Sequence, residues 1–278
     1  GANDGTDFPD SSEATPRHTI TANGDATNQR PQPHDVTANG DAHLIGPPQS
    51  SSTFYMNNGA SNYLSMADSA DWMFGTGDFT LEMWVNTTTS GVYQYLMGQI
   101  RTDGTDECFI RIDNTDKFRI GIQGASSNSN CISTSGVPKN AWTHLAAVRD
   151  GETLRVYFNG VQENTTDFGT QSQTEPIAPY QIGRVQYTGA TGYYGYMDGI
   201  RISKGVCRYP DGTTFTPPTT AFVSDAQTVF LLQGGTDGSS TFTDTGNTVH
   251  TISTTGTVGP WFAPKVGAGA MAFVPDGI

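Results

Sequence analysis

From Phe54 to Leu232 the chain is a succession of short apolar-polar alternations broken by turn residues, and this constrains its fold more than any other feature. Phe79, Leu81, Met83 and Val85 alternate with Thr80, Glu82 and Trp84. That period of two puts one set of side chains on each face of a strand. Further strand candidates are 93–100, 107–113, 117–123, 142–149, 153–159, 180–185, 195–203 and 228–233. Asp103-Gly104, Asn114-Thr115-Asp116, Asp150-Gly151 and Asn159-Gly160 punctuate them as turns. Val148–Leu154 reads as a tight hairpin, and the best helical candidate is a short turn within Asp68–Phe74. No segment sustains the 3.6-residue period of a helix. Many short antiparallel strands pack as two sheets, so the expected fold is an all-β, two-sheet antiparallel sandwich of jelly-roll type.

Composition agrees. Hydrophobic residues make up 35% and charged residues 15%, with Gly, Ser, Thr, Asn and Asp filling much of the rest. These residues adopt turn geometry at little cost. A net charge of −13 repels phosphate backbones and anionic bilayers, so neither nucleic acid nor membrane is an expected partner. Two readings of the acidity stand: solubility in a salty medium, or loops whose carboxylates hold Ca2+. Cys108, Cys131 and Cys207 lack metal-ligand spacing and read mostly as buried thiols, with a Cys108–Cys131 bridge left open. No apolar run reaches the roughly 18 residues of a spanning helix. The opening residues show no basic-then-apolar leader, so either a signal was removed or none was used.

Internal similarity marks the two ends. Residues 4–25 (DGTDFPDSSEATPRHTITANGD) and 237–256 (DGSSTFTDTGNTVHTISTTG) share Asp-Gly, a Phe-x-Asp turn and His-Thr-Ile, at His18–Ile20 and His250–Ile252. Phe54–Gly59 resembles 273–277, and TANGDA occurs at 21–26 and 37–42. An apolar strand, 229–233, precedes the second Asp-Gly, whereas nothing equivalent precedes the first. Residues 229–233 can pair within their own sheet or complete the sheet of another subunit. The expected organisation is opening strands and a Pro-rich arm over 1–52, a sandwich core over 53–232, and a β-rich, repeat-like extension over 233–278.

Three phrases occur in a characteristic order: GDFTLEMWV at 77–85, NAWTHLAAVRDGETLRVYFNGV at 140–161, and IGRVQYTGATGYYGYMDGIRI at 182–202. In this order they resemble the laminin G-like branch of the concanavalin A-like lectin/glucanase superfamily. The opening motif, GYMDGIRISKGVCRYPDGTTFTPPTTAF and VFLLQGGTDGSSTFTD also resemble laminin G-like domains in virion proteins of tailed bacteriophages, especially marine ones. The resemblance implies a non-enzymatic structural or decorating protein on a phage capsid or tail. Its partners would be other virion proteins, copies of itself and cell-surface polysaccharide. The alternative is a secreted bacterial adhesin or lectin module. A divergent glycoside-active enzyme ranks third.

Glu82 is the one residue that could be cast as a catalytic acid. The superfamily's glucanases carry Glu-x-Asp-x-Glu on a strand, and here Glu82 is the only acid in Thr80–Val85. Glycosidases need two carboxylates at a set separation, and no such pair stands out. His144, His18 and His250 read as structural. The resemblance implies that Asp198 can sit beside a Ca2+ with Asp4 or Asp7 of the N-terminal loop; alternatively it accepts backbone hydrogen bonds from a neighbouring loop. Tyr187, Tyr193, Tyr194 and Tyr196 surround a Gly-rich turn, and contact with glycan, contact with protein, and packing on the sandwich rim all remain open.

Overall fold

The computed structural model describes residues 7–9, 19–21, 53–56, 62–261 apart from short stretches (105–106, 127, 188–190, 213, 234–241 and 257), 265–266 and 269–270. Its strands are β1 (Asp7–Pro9), β2 (Thr19–Thr21), β3 (Thr53–Met56), β4 (Tyr63–Met66), β5 (Phe79–Thr87), β6 (Gln94–Ile100), β7 (Glu107–Ile112), β8 (Lys117–Gln123), β9 (Asn128–Gly136), β10 (Thr143–Asp150), β11 (Thr153–Phe158), β12 (Val161–Asp167), β13 (Tyr180–Ile182), β14 (Gly195–Lys204), β15 (Thr228–Leu232), β16 (Ser253–Thr255), β17 (Val258–Trp261), β18 (Lys265–Val266) and β19 (Gly269–Ala270). Two compact units result, one comprising Gly1–Gly46 with Phe262–Ile278 and the other Pro47–Trp261. In the first, β1 pairs with β2, Phe8 opposite Ile20, and β18 pairs with β19.

The second unit is the expected two-sheet antiparallel sandwich. One sheet of eight strands runs β12-β11-β10-β5-β14-β3-β17, with β15 also paired to β14. The other, of seven strands, runs β16-β4-β13-β6-β7-β8-β9. Phe79, Leu81, Met83 and Val85 of β5 point into the core, where Ile110, Ile112, Phe118, Ile120 and Ile122 of the opposing sheet are also buried. Each such side chain contributes about 1.5–3 kcal/mol through burial. At the far edge the sheets are tied together by polar bonds. Asn164 donates to the Ile132 carbonyl (2.8 Å) and Thr166 to the Asn130 carbonyl (3.1 Å).

The Asp150-Gly151 hairpin joins β10 to β11 with Asp150 opposite Thr153, and Gly151 takes a φ of 59°. The Gly151 N–H donates to Asp78 (2.8 Å), which fixes the turn against the start of β5. The short helical turn forms at Ala70–Trp72. β9 and β12 carry no apolar alternation: NSNCISTSG and VQENTTD are small or polar because they meet at the sandwich edge. All three cysteines are free. Cys108 on β7 and Cys131 on β9 are separated by the intervening β8, so no bridge joins them, and burial pushes the Cys108 thiol up to about 12.

The sandwich does not stop at residue 232. β15 pairs with β14 of its own chain, β16 adds to the edge strand β4, and β17 pairs with β3. Between them Phe242 enters the core and the His250 ring lies 4.4 Å from Trp72. Asp244 organises this segment. Its buried carboxylate accepts the N–H groups of Leu231 (2.9 Å), Gly246 (2.8 Å) and His250 (3.0 Å), and the His250 ring nitrogen lies 2.7 Å away. Gly246 is required by close approach, since a Cβ there would stand 2.9 Å from the Phe230 backbone. The Phe-x-Asp and His-Thr-Ile motif is therefore the device that seats the last strands of the sandwich. The arm over 26–52 and most of the N-terminal copy of the motif lie outside the described residues.

Removing the Asp244 carboxylate strands several backbone donors in a dry site. We expect Asp244→Ala to lower unfolding free energy by at least about 2 kcal/mol in a urea titration. A change below about 0.5 kcal/mol would mean that the C-terminal segment is not integral to the sandwich.

Candidate functional site

The first candidate, Glu82, lies on the outer side of the eight-stranded sheet, and that side is covered. Residues after β14 return across it, and Tyr209, Phe215 and Cys207 pack on Ala146, Val148 and Tyr157. Beneath them one Glu82 oxygen accepts from Arg201 (Nε 2.8 Å, Nη2 2.6 Å). The other accepts from the Tyr209 hydroxyl (2.6 Å) and lies 3.2 Å from His144 Nε2. Glu82 and His144 are both 0% exposed. Arg201 lies 4.0 Å below the Phe222 ring, Phe215 stacks on Tyr209 at 3.5 Å, and Trp84 donates to the Pro218 carbonyl (3.2 Å). No sugar reaches this carboxylate without lifting that strap. Glu82 and His144 thus hold the sheet to its cover, in keeping with the structural reading of His144.

Burial alone would raise the Glu82 pKa, but the His144 bond, the Arg201 charge and the Tyr209 bond outweigh it and hold it below the usual 4.5. A carboxyl depressed in the folded state stabilises fully above its unfolded pKa and loses that contribution as pH falls through the folded one. We expect Glu82→Gln to cost about 3–5 kcal/mol near neutral pH, because Arg201 is left buried beside an uncharged partner. In thermal unfolding from pH 7 to 2, the difference between variant and wild type should shrink below pH 4.5. A constant difference would contradict the assignment.

The four tyrosines do not form one cluster. Tyr193 is 0% exposed and belongs to the core, so it is not a contact residue. Tyr194 is half-buried and tied through its backbone to Thr88 and Gln94. Tyr196 is half-buried on β14, paired with Asn86 of β5 and Tyr55 of β3. Tyr187 is 39% exposed beside the β6–β7 turn, where a Cβ on Gly104 would meet its ring at 2.7 Å. Asp198 is buried at a strand irregularity and accepts the Gly199 N–H (2.8 Å). No cluster of three His, Cys, Asp or Glu side chains suited to a metal exists among the described residues. Asp4 lies outside the described residues, and of Asp7 only the backbone in β1 is described.

The outer side of the seven-stranded sheet is different. Two rows of cross-strand partners run across β6, β7 and β8: Tyr95–Arg111–Arg119, and Gly98–Phe109–Gly121. A Cβ on Gly121 would stand 2.5 Å from the Phe109 ring, so this glycine makes room for it, while a Cβ on Gly98 would meet the Cys108 carbonyl and the Phe109 backbone. Tyr95 meets Phe109 edge-on at 5.2 Å, with Ile100 and Val185 completing the cluster. Over it lies the Arg111 guanidinium, 4.6 Å from the Tyr93 ring, 5.1 Å from Phe109 and 5.3 Å from Tyr95, donating to the Tyr95 hydroxyl (2.7 Å). Arg119 lies 5.9 Å from Phe109 and donates twice to Asn130 (2.8 and 2.5 Å). Tyr93, 41% exposed, borders this platform at the start of β6, while Tyr187 follows Val185 on the loop after β13. Burial, then the neighbouring Arg111 charge, lowers the Arg119 pKa, and burial raises that of Glu107. Tyr93, exposed beside cationic donors that rest on the buried Phe109 and Tyr95 rings, forms with them a surface that can bind a flat, hydroxyl-rich ligand.

Comparison with known proteins adds the lineage. A laminin G-type family model, described as the concanavalin A-like lectin/glucanases superfamily, matches residues 58–208, more than half of the chain. The chain belongs to this family. No curated protein sequence matches this laminin G-type chain. Among solved structures, a Bacteroides ovatus protein assigned as carbohydrate binding has 18% identity and a TM-score of 0.51, covering 74% of this chain and 61% of that one. The chain thus spans less than two thirds of that relative. Domains LG4-5 of mouse laminin α1 have 12% identity and a TM-score of 0.43, covering 60% and 47%. A native heptameric pentraxin of Limulus polyphemus has 11% identity and a TM-score of 0.42, covering 73% and 94%. At these identities the likeness is one of fold.

Of the sequence-derived candidates, only Tyr187 lies near the platform. Arg111, Arg119, Phe109 and Tyr93 carry no motif. A register count from the Asn114-Thr115-Asp116 turn, which sets Ile112 opposite Phe118, would have placed Arg111 opposite Arg119.

Proposed function

We propose that this laminin G-type sandwich is a non-enzymatic glycan-binding module that engages sugar on the outer face of its seven-stranded sheet. One observation carries the reading: on that face the exposed Tyr93 ring lies beside Arg111, whose guanidinium rests over the buried Phe109 and Tyr95 rings, whereas the opposite face of the sandwich is covered and the Glu82 network beneath it is buried. Apolar ring faces of a sugar pack on aromatic side chains while its hydroxyls meet the guanidinium and amide groups. The carbohydrate-binding assignment of the Bacteroides ovatus protein of similar fold supports the same class.

We further propose a virion surface as its location, with other virion proteins or copies of the chain as neighbours and cell-surface polysaccharide as the ligand. The phage-like phrasing of residues 4–25, 195–222 and 229–244 supports this. A secreted adhesin would use the same face.

Immobilised bacterial polysaccharides, probed with the full chain, test the binding reading. We expect retention by at least one polysaccharide, weakened roughly three- to tenfold by Tyr93→Ala with little change in thermal midpoint. No retention on any polysaccharide, or retention indifferent to Tyr93→Ala and Tyr187→Ala alike, would contradict it.

A further inference from the structure

We infer that the ligand of this face is an anionic glycan whose carboxylate or sulfate is held by Arg111 and Arg119. The inference rests on the glycan-binding reading and adds the ligand's chemical class. Arg111 and Arg119 are direct cross-strand partners on β7 and β8. Like charges placed opposite one another weaken a sheet, so a fold selected for stability alone has reason to avoid the pair. Arg111 carries a second cost, because its Nε is buried with no hydrogen-bond partner among the described residues. Among the described residues no carboxylate lies within 4 Å of either guanidinium, and Glu107 and Asp113 act on them only at longer range. Two cations without a direct ion-pair partner thus stand together on a chain of net charge −13.

The pair is also built to receive an anion. The Tyr93, Tyr95 and Phe109 rings and the Tyr95 hydroxyl hold Arg111, and Asn130 orients Arg119 through Nε and Nη2. A preorganised guanidinium loses little entropy on binding, and its forked donors match a carboxylate or sulfate oxygen pair. An anion here would relieve the repulsion between the arginines, and the exposed Tyr93 ring would take the attached sugar.

Calorimetric titration of the full chain with oligogalacturonate, its methyl-esterified neutral form and a sulfated galactan oligosaccharide tests this. We expect one or both anionic ligands to bind at least about tenfold more tightly than the ester, with affinity falling as salt rises. The carboxylate and sulfate arms identify the anion. Arg119→Gln should weaken binding about tenfold or more while the unliganded protein's midpoint at low salt holds or rises. Arg119→Lys keeps the charge but not the fork, and should weaken binding to a lesser degree. Equal binding of ester and acid overturns the inference and leaves the glycan-binding reading standing. So does an Arg119→Gln variant with lowered midpoint and intact affinity, which makes the pair structural. If none of the three ligands binds, the inference fails, and the polysaccharide screen separately decides the wider reading.

Discussion

The molecule depends on β5 being buried from both sides. Its inward residues, Phe79, Leu81, Met83 and Val85, fill the space between the sheets, while its outward residues Thr80, Glu82 and Trp84 lie under the segment that follows β14. A carboxylate can be afforded there only because it is fully bonded: Arg201, His144 and Tyr209 surround Glu82. The eight-stranded sheet is thereby committed to holding the fold together. Its partner sheet, buried on its inner side, carries Tyr93, Arg111 and Arg119 on the other, where the proposed ligand would bind.

That division explains why an enzyme-like superfamily can yield a chain with the character of a binding protein. Glu82 occupies the strand position where an acid invites a catalytic reading, yet it is spent on anchoring the strap. The outward positions of β6, β7 and β8 combine aromatic rings, arginines and two glycines, which gives neither a good core nor an ordinary solvated surface. The opposed arginines are the least economical part of the fold, and a function for that face gives a reason for them.

Much of the fold was legible in the sequence because its signals are local. The 117–123 run, the Asp150-Gly151 hairpin and the short turn at Ala70–Trp72 follow from alternation and turn chemistry, and all are present. β9 and β12 were not legible, since strands that meet at a polar sandwich edge need no apolar period. The tyrosines misled because nearness in sequence is not nearness on a surface. The segment enters β14 from the interior at Tyr193, and three residues later Tyr196 faces outward. The C-terminal motif was visible as a repeat, but its role depends on Asp244 reaching the backbone of β15, a contact that spacing alone does not reveal. The platform was hidden for a similar reason: its members come from three strands and meet only once the register is fixed.

In the proposed binding mode, ligand meets the seven-stranded sheet and leaves the strap-covered face undisturbed. Backbone amide NMR during titration with a retained polysaccharide fragment measures this directly. Perturbations centred on Tyr93–Tyr95, Phe109–Arg111 and Arg119–Gly121 are the predicted result. Perturbations centred instead on Glu82, His144 and Tyr209–Phe222, with β6 to β8 unchanged, would contradict it.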